Sequence, residues 1–307
     1  MPNVVQVPIP RRFDFNLTAE HKTHYRGRAG SDLFVEGTYY RALWVGNEAV
    51  GVAARSAQGG EAVEVSLPNG GPEGVLNFAA AQVVRLLGLD IDIEDFYGLL
   101  SEDTVLDNTI GHFRGLHPTR SESVFEAMIH AVIGQQISSS VAGVLRDILV
   151  TTYGKDVRVN GHLVYAFPKP RTLLEAGLEA MRALKLSGRK AEYVLGISER
   201  ALEGELEHET FAKLSDDEVM ESLLKIRGVG RWTVQWVLMT ALGRIDALPA
   251  GDLALQKVVG DLYFDGERLK EHQLETWAEA HWKPYRGLAT TYLFAALRRQ
   301  RAAGNKG

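Results

Sequence analysis

The 307-residue chain contains no cysteine. That excludes disulfides, a cysteine nucleophile, thiolate zinc sites and cysteine-ligated iron–sulfur clusters. It also has no run of roughly 18 uncharged apolar residues, so no membrane span and no membrane partner are expected. The opening stretch MPNVVQVPIPRRFDF lacks the apolar core of a secretory signal, which predicts a cytoplasmic protein. A net positive charge is missing as well: the formal balance is −5, at first sight unfavourable for a nucleic-acid partner. The distribution weakens that objection. Residues 1–110 carry 8 Lys/Arg against 15 Asp/Glu, which leaves 26 against 24 in residues 111–307. Internal repeats, coiled-coil heptads and low-complexity tracts are absent. The glycine-rich loop Pro68–Gly74 lacks the Gly-Lys-Ser/Thr ending of a nucleotide loop and the glycine spacing of a dinucleotide site. It reads as a turn, which leaves a small-molecule enzyme built on that loop without support.

What is present divides in two. Up to about residue 90, short β-rich segments at Leu33–Glu36, Tyr39–Val45 and Ala62–Leu67 alternate with Gly and Asn turns, and a helix is predicted over Val75–Leu87. From about Asp90 onward strand signals nearly vanish. Helical periodicity marks Ser123–Ile133, Ser138–Tyr153, Thr172–Leu184, Lys190–Leu202, Asp216–Leu224, Arg231–Leu242, Leu253–Leu262 and Leu288–Arg299. Breaks are expected at Pro168, Pro170, Gly188, Gly228, Gly230, Pro249 and Gly251. The pattern predicts a mainly α protein: an N-terminal α+β domain over 1–108, with an antiparallel sheet, followed by a helical region over 109–307.

The most informative stretch is Leu223-Leu224-Lys225-Ile226-Arg227-Gly228-Val229-Gly230-Arg231-Trp232-Thr233. One apolar helix ends, two glycines flank an aliphatic residue, and a second helix begins at once. Both glycines can take backbone angles that other residues avoid, and both allow close approach of a ligand. The new helix offers free N–H groups and a positive dipole end, which suit a phosphate without reading sequence. Taken alone, such a turn is an ordinary helix connection. Asp252, at the end of the loop 247–253, likewise reads alone as a helix N-cap. Trp232 and Trp236, four apart on one helical face, read alone as core residues.

Order and spacing add a further reading. The segment from about 120 to 297 resembles the helix-hairpin-helix DNA glycosylases that carry a Gly/Pro-rich loop and an aspartate, in particular the alkylpurine (3-methyladenine) glycosylase II branch. The resemblance rests on the hairpin, the loop ending at Asp252, and three further motifs: His130-Ala131-Val132-Ile133-Gly134-Gln135-Gln136-Ile137-Ser138, Leu186-Ser187-Gly188-Arg189-Lys190-Ala191 and Trp282-Lys283-Pro284-Tyr285-Arg286. It implies a core of two helical subdomains and monofunctional excision of alkylated purines from double-stranded DNA, leaving an abasic site. Asp252 is then the catalytic carboxylate. Trp232, Trp236, Phe294 and Tyr285 line the base pocket, although tryptophan is the commoner family residue where Phe294 stands. Gln136 enters the helix stack, where the branch often carries an apolar side chain. Gly228, Val229, Gly230, Arg231, Thr233 and Arg286 contact the DNA backbone. No organic cofactor is implied, but Na+ or K+ on the main-chain oxygens of Leu224, Ile226 and Val229 is. With Trp232 at the position of the Schiff-base lysine of other members, hydrolysis without strand cleavage is expected. The implied protein is a nucleoid-associated monomer. Two alternatives stay open at this point: a non-catalytic DNA-binding module, and a glycosylase for oxidised or deaminated bases.

Overall fold

The computed structural model describes residues 4–23, 30–72 and 74–304; Glu73 of the glycine-rich loop lies outside them. Strands β1 (Val4–Pro8), β2 (Asp32–Val35), β3 (Thr38–Val45), β4 (Glu48–Ser56) and β5 (Ala62–Ser66) form one antiparallel sheet in the order β1-β5-β4-β3-β2. Strand β3, next to the edge strand β2, is covered on both faces, and its alternation sorts the side chains. Tyr39 and Leu43 join a core with helices α1 (Phe15–Thr23) and α2 (Val75–Leu86). Tyr40, Ala42 and Trp44 pack beneath a hairpin of β6 (Lys155–Val159) and β7 (His162–Ala166). Neither β1, β4 nor this hairpin is among the strands expected from sequence. The hairpin corrects the expectation that strands nearly vanish after Asp90, and it arises inside the helical region.

The remaining helices are α3 (Glu94–Glu102), α4 (Thr104–Ile110), α5 (Val124–Gly134), α6 (Ser139–Tyr153), α7 (Pro170–Ala183), α8 (Gly188–Leu202), α9 (His208–Phe211), α10 (Asp216–Leu223), α11 (Arg231–Thr240), α12 (Leu253–Tyr263), α13 (Glu271–Trp282) and α14 (Arg286–Gly304). Two expected breaks turn out to be helix starts: Pro170 stands at the first turn of α7, where its missing N–H costs nothing, and Gly188 opens α8 behind the Ser187 cap. Among the described residues, no helix is long and apolar enough to cross a membrane.

These helices form two cores. One gathers α5, α6, α8, α10 and α11 around Met128, Leu149, Val194, Val234 and Val237. The other joins α3 and α4 to α12, α13 and α14 through Phe96, Leu106, Val259, Leu274 and Tyr292. Trp236 packs against both. Residue 108 falls inside α4, whose Leu106 and Ile110 belong to the second core together with residues far along the chain.

The sheet is pinned to the first helical core by a buried ionic network. Arg41 reaches Asp32 (2.8 Å), Glu126 at the start of α5 (2.8 Å) and Glu122 (2.9 Å). Removing one partner of such a network strands a buried charge, at a cost of about 3–5 kcal/mol.

Candidate active site

The first helix of the hairpin, α10, is closed at its N-terminus by a reciprocal capping box between Ser215 and Glu218. At its other end the chain turns through residues 224–230, with Ile226 and Val229 buried in the first core. The two glycines do different work. Gly228 has φ +87°, and a β-carbon there would collide with the ring of Tyr193. Gly230 is extended (φ −110°, ψ 174°) and has nothing within 4 Å of where a β-carbon would stand. Only Gly228 is therefore required by the turn. Gly230 is the helix cap of α11 and contributes no side chain, so no capping side chain accepts from the N-terminal amides of α11.

Each cation around the turn is held by a carboxylate. Arg227 pairs with Glu192 on α8 (2.8 Å), Arg231 with Glu275 on α13 (3.1 Å) and Lys225 with Glu221 (3.4 Å). Thr233 does not share this surface. It is 1% exposed, and its Oγ1 accepts from Gln135 Nε2 at 3.1 Å, so only its backbone can serve a phosphate.

Asp252 caps α12. Its Oδ1 accepts from the amides of Ala254 (2.9 Å) and Leu255 (3.1 Å), while Oδ2 accepts from the indole Nε1 of Trp232 at 3.2 Å. The preceding loop is held from both sides: Leu248 N donates to Gln235 Oε1 (3.1 Å), and Gln256 Nε2 donates to the Ala250 carbonyl (2.8 Å). The carboxylate is partly exposed and fully oriented. Beside it runs an aromatic series. Trp232 stacks on Trp236 with centroids 5.7 Å apart and planes at 23°, and Trp236 meets Phe294 at 6.0 Å. The N-cap and packing readings of these residues thus coexist with a solvent-reaching constellation of one carboxylate and electron-rich rings.

Tyr285 and Arg286 are placed elsewhere. Tyr285 packs its edge on Phe96 at 6.1 Å, and its ring is not part of the Trp232–Trp236–Phe294 series. Arg286 is held by Asp246 through Nε (2.8 Å) and Nη2 (2.6 Å). It lines an acidic cavity of about 400 Å³ with Asp216, Gln235, Asp246 and Glu275; Asp252, Trp232 and Trp236 are not among the lining residues. Gln136 stands at φ +57° in the exposed loop between α5 and α6, beside the exposed Ile137. Sequence reading gave no role to Gln135, the neighbour that bonds the hairpin; its signal was adjacency to Gln136 within the Gly134–Ser138 motif. Among the described residues, no group of three or more His, Asp or Glu side chains is arranged to hold a metal ion.

The hairpin's second helix thus carries the aromatic series, and the loop that follows delivers an aspartate to the next helix start. Residues 129–284 match the family model described as the HhH-GPD superfamily base excision DNA repair protein, and the chain belongs to that superfamily. A DNA-3-methyladenine glycosylase of Bacillus subtilis is 30% identical over 210 residues, covering 68% of this chain and 69% of that protein. A further Bacillus subtilis relative, YfjP, is 35% identical over 176 residues, which span 57% of this chain and 59% of that protein. Among solved structures, the 3-methyladenine DNA-glycosylase from Archaeoglobus fulgidus superimposes with a TM-score of 0.83 at 29% identity, over 94% of this chain and 97% of the other.

Proposed function

We propose that the protein is a monofunctional DNA glycosylase that extrudes an alkylated purine of the 3-methyladenine type from duplex DNA and hydrolyses its glycosidic bond. The observation that carries this is the Asp252 carboxylate, fixed by two backbone amides and the Trp232 indole beside the Trp232–Trp236–Phe294 wall. As the bond between the base nitrogen and the anomeric carbon breaks, its electron pair leaves with the base and positive charge develops on the sugar. A preoriented carboxylate offsets that charge at no reorganisation cost. Water then adds to the anomeric carbon and loses a proton, which leaves an abasic site and an intact strand. Alkylation gives the purine a positive charge, so stacking on indole faces favours it over the unmodified base.

In this reading the amides ahead of α11 take a phosphate, and Gln136 fills the gap left by the extruded nucleotide. The N-terminal sheet unit supports the helical region and supplies no reacting group. A monovalent cation on the oxygens of Leu224, Ile226 and Val229 belongs to the same reading; the Ile226 oxygen already accepts Val229 N–H at 3.1 Å, which leaves it a second lone pair. So do action as a monomer and a cytoplasmic, nucleoid-associated location. Chromatography of bases released from methylated duplex DNA tests the assignment. Release of alkylated purines by the wild-type protein and none by Asp252→Asn is expected; release of only oxidised or deaminated bases from lesion panels, or of none, would replace it.

A further inference from the structure

The loop that carries Gln136 joins two helices, and residues 136–140 are exposed. A side chain that enters a base stack must hold its place against the few kcal/mol needed to unstack and unpair a nucleotide. The Gln136 side chain makes no hydrogen bond among the described residues. The residue before it has several. Gln135 Nε2 donates to the carbonyl of Gly228 (2.9 Å) and to Thr233 Oγ1 (3.1 Å). Its own main-chain oxygen accepts from Lys190 Nζ at 2.7 Å, and the same ammonium takes the Ile133 oxygen at 2.8 Å.

These bonds join three elements that are distant in sequence. Gly228 is the positive-φ corner of the hairpin, and Thr233 lies on the helix that carries both tryptophans. Lys190 belongs to α8, and it satisfies the carbonyl end of α5, where a cation is favoured by the helix dipole. Burial lowers the pKa of Lys190, with Arg146 adding to the effect; the bonds to two carbonyl oxygens are those of an ammonium donor.

We propose that Gln135 is a positioning residue that locks the insertion loop to the hairpin, so that seating a phosphate at the turn also sets the depth of Gln136 in the duplex. The proposal rests on the glycosylase reading above. It assigns Gln135 no contact with the reacting atoms. It requires that Gln135 act only through Gln136, whose backbone directly follows the anchored residue.

The test is a double-mutant cycle on single-turnover excision of an alkylated purine in a stable base pair, with Gln135→Met and Gln136→Ala made singly and together. Methionine keeps the volume and removes both donated bonds. Gln135→Met should slow excision about tenfold or more, since small misplacements are costly, and affinity for undamaged duplex should stay within about threefold. The double variant should be no slower than Gln136→Ala alone, because coupled residues are not additive. Fluorescence of 2-aminopurine beside the lesion should lose its extrusion signal in step. Losses that multiply, or a wild-type rate for Gln135→Met, would overturn the coupling. If circular dichroism shows Gln135→Met misfolded, Thr233→Val removes one of the same bonds and is read the same way. A wild-type protein that releases no base overturns the glycosylase reading itself, whereas multiplying losses in an active enzyme overturn only the lock.

Discussion

The indole N–H of Trp232 reaches Asp252 Oδ2 over 3.2 Å while the other oxygen is taken by the start of α12. One carboxylate therefore spans the hairpin's second helix and the helix after the loop, and the first ring of the aromatic series is also its orienting donor. Asp252→Asn preserves shape and removes charge, so it should abolish excision and leave lesion-DNA affinity within roughly tenfold. Trp232→Phe keeps an aromatic face and removes the donor. A hydrogen bond to a charged group is worth about 1.5–3 kcal/mol, so kcat should fall about 10–100-fold, with KM changing less. Steady-state kinetics with both variants check the pair; near-normal turnover by Asp252→Asn would remove it from catalysis.

The two hairpin glycines should behave differently. Gly228→Ala places a β-carbon at φ +87° and against the Tyr193 ring, so it should destabilise the fold by at least about 2 kcal/mol and lower Tm. Gly230→Ala meets no atom and no strained angle, so its Tm should be unchanged. Its methyl group would instead stand where DNA approaches, and affinity for damaged and undamaged duplex should drop alike. Unchanged affinity on both duplexes would take the hairpin out of the interface.

If Arg231 meets the DNA backbone as proposed, Glu275, which pairs with it at 3.1 Å, should compete with DNA for it. The pair is half exposed, so breaking it should hardly change stability. Glu275→Gln should raise affinity for any duplex about two- to fivefold at low salt, with the gain shrinking as salt screens it. In an Arg231→Gln background the gain should vanish. A gain that persists there would mean that Glu275 acts by general repulsion.

The proposed hydrolysis uses no lysine nucleophile. Trp232 fills the position after the hairpin, Lys225 is tied to Glu221 and Lys257 to Asp261 at 3.0 Å. An end-labelled duplex with one alkylated base should stay full length with enzyme and break only in hot alkali. Borohydride should trap no protein–DNA adduct; efficient trapping would show that a lysine is the nucleophile.

Features determined by neighbours within a few residues could be read in the sequence. The Ser123, Ser138 and Ser187 caps, the glycine corner and the N-cap aspartate all depend on local bonds. Two local signals were there to be used. Asn160-Gly161 between alternating residues marks the β6–β7 hairpin, and both central residues take positive φ (47° and 84°). Leu274, Ala278 and Trp282, each four apart, are the buried stripe of α13, a helix absent from the sequence reading. β4 is harder to find: Ala and Gly are weak strand formers, and burial on two faces left it without alternation.

By itself, then, the sequence determined the mainly helical class, the hairpin, and the placing of Asp252 at a helix start. Only the tertiary structure decided the partners: Asp252 with Trp232, 20 residues away, and Gln135 with Gly228, 93 residues away. It also withdrew Thr233 into the interior, gave Arg286 to Asp246 and turned Tyr285 toward Phe96. The reason is physical. A turn or a cap is set by the dihedral angles and donors of a few consecutive residues, whereas a buried side chain takes whichever polar group or ring the packing of distant helices brings within about 3–6 Å of it.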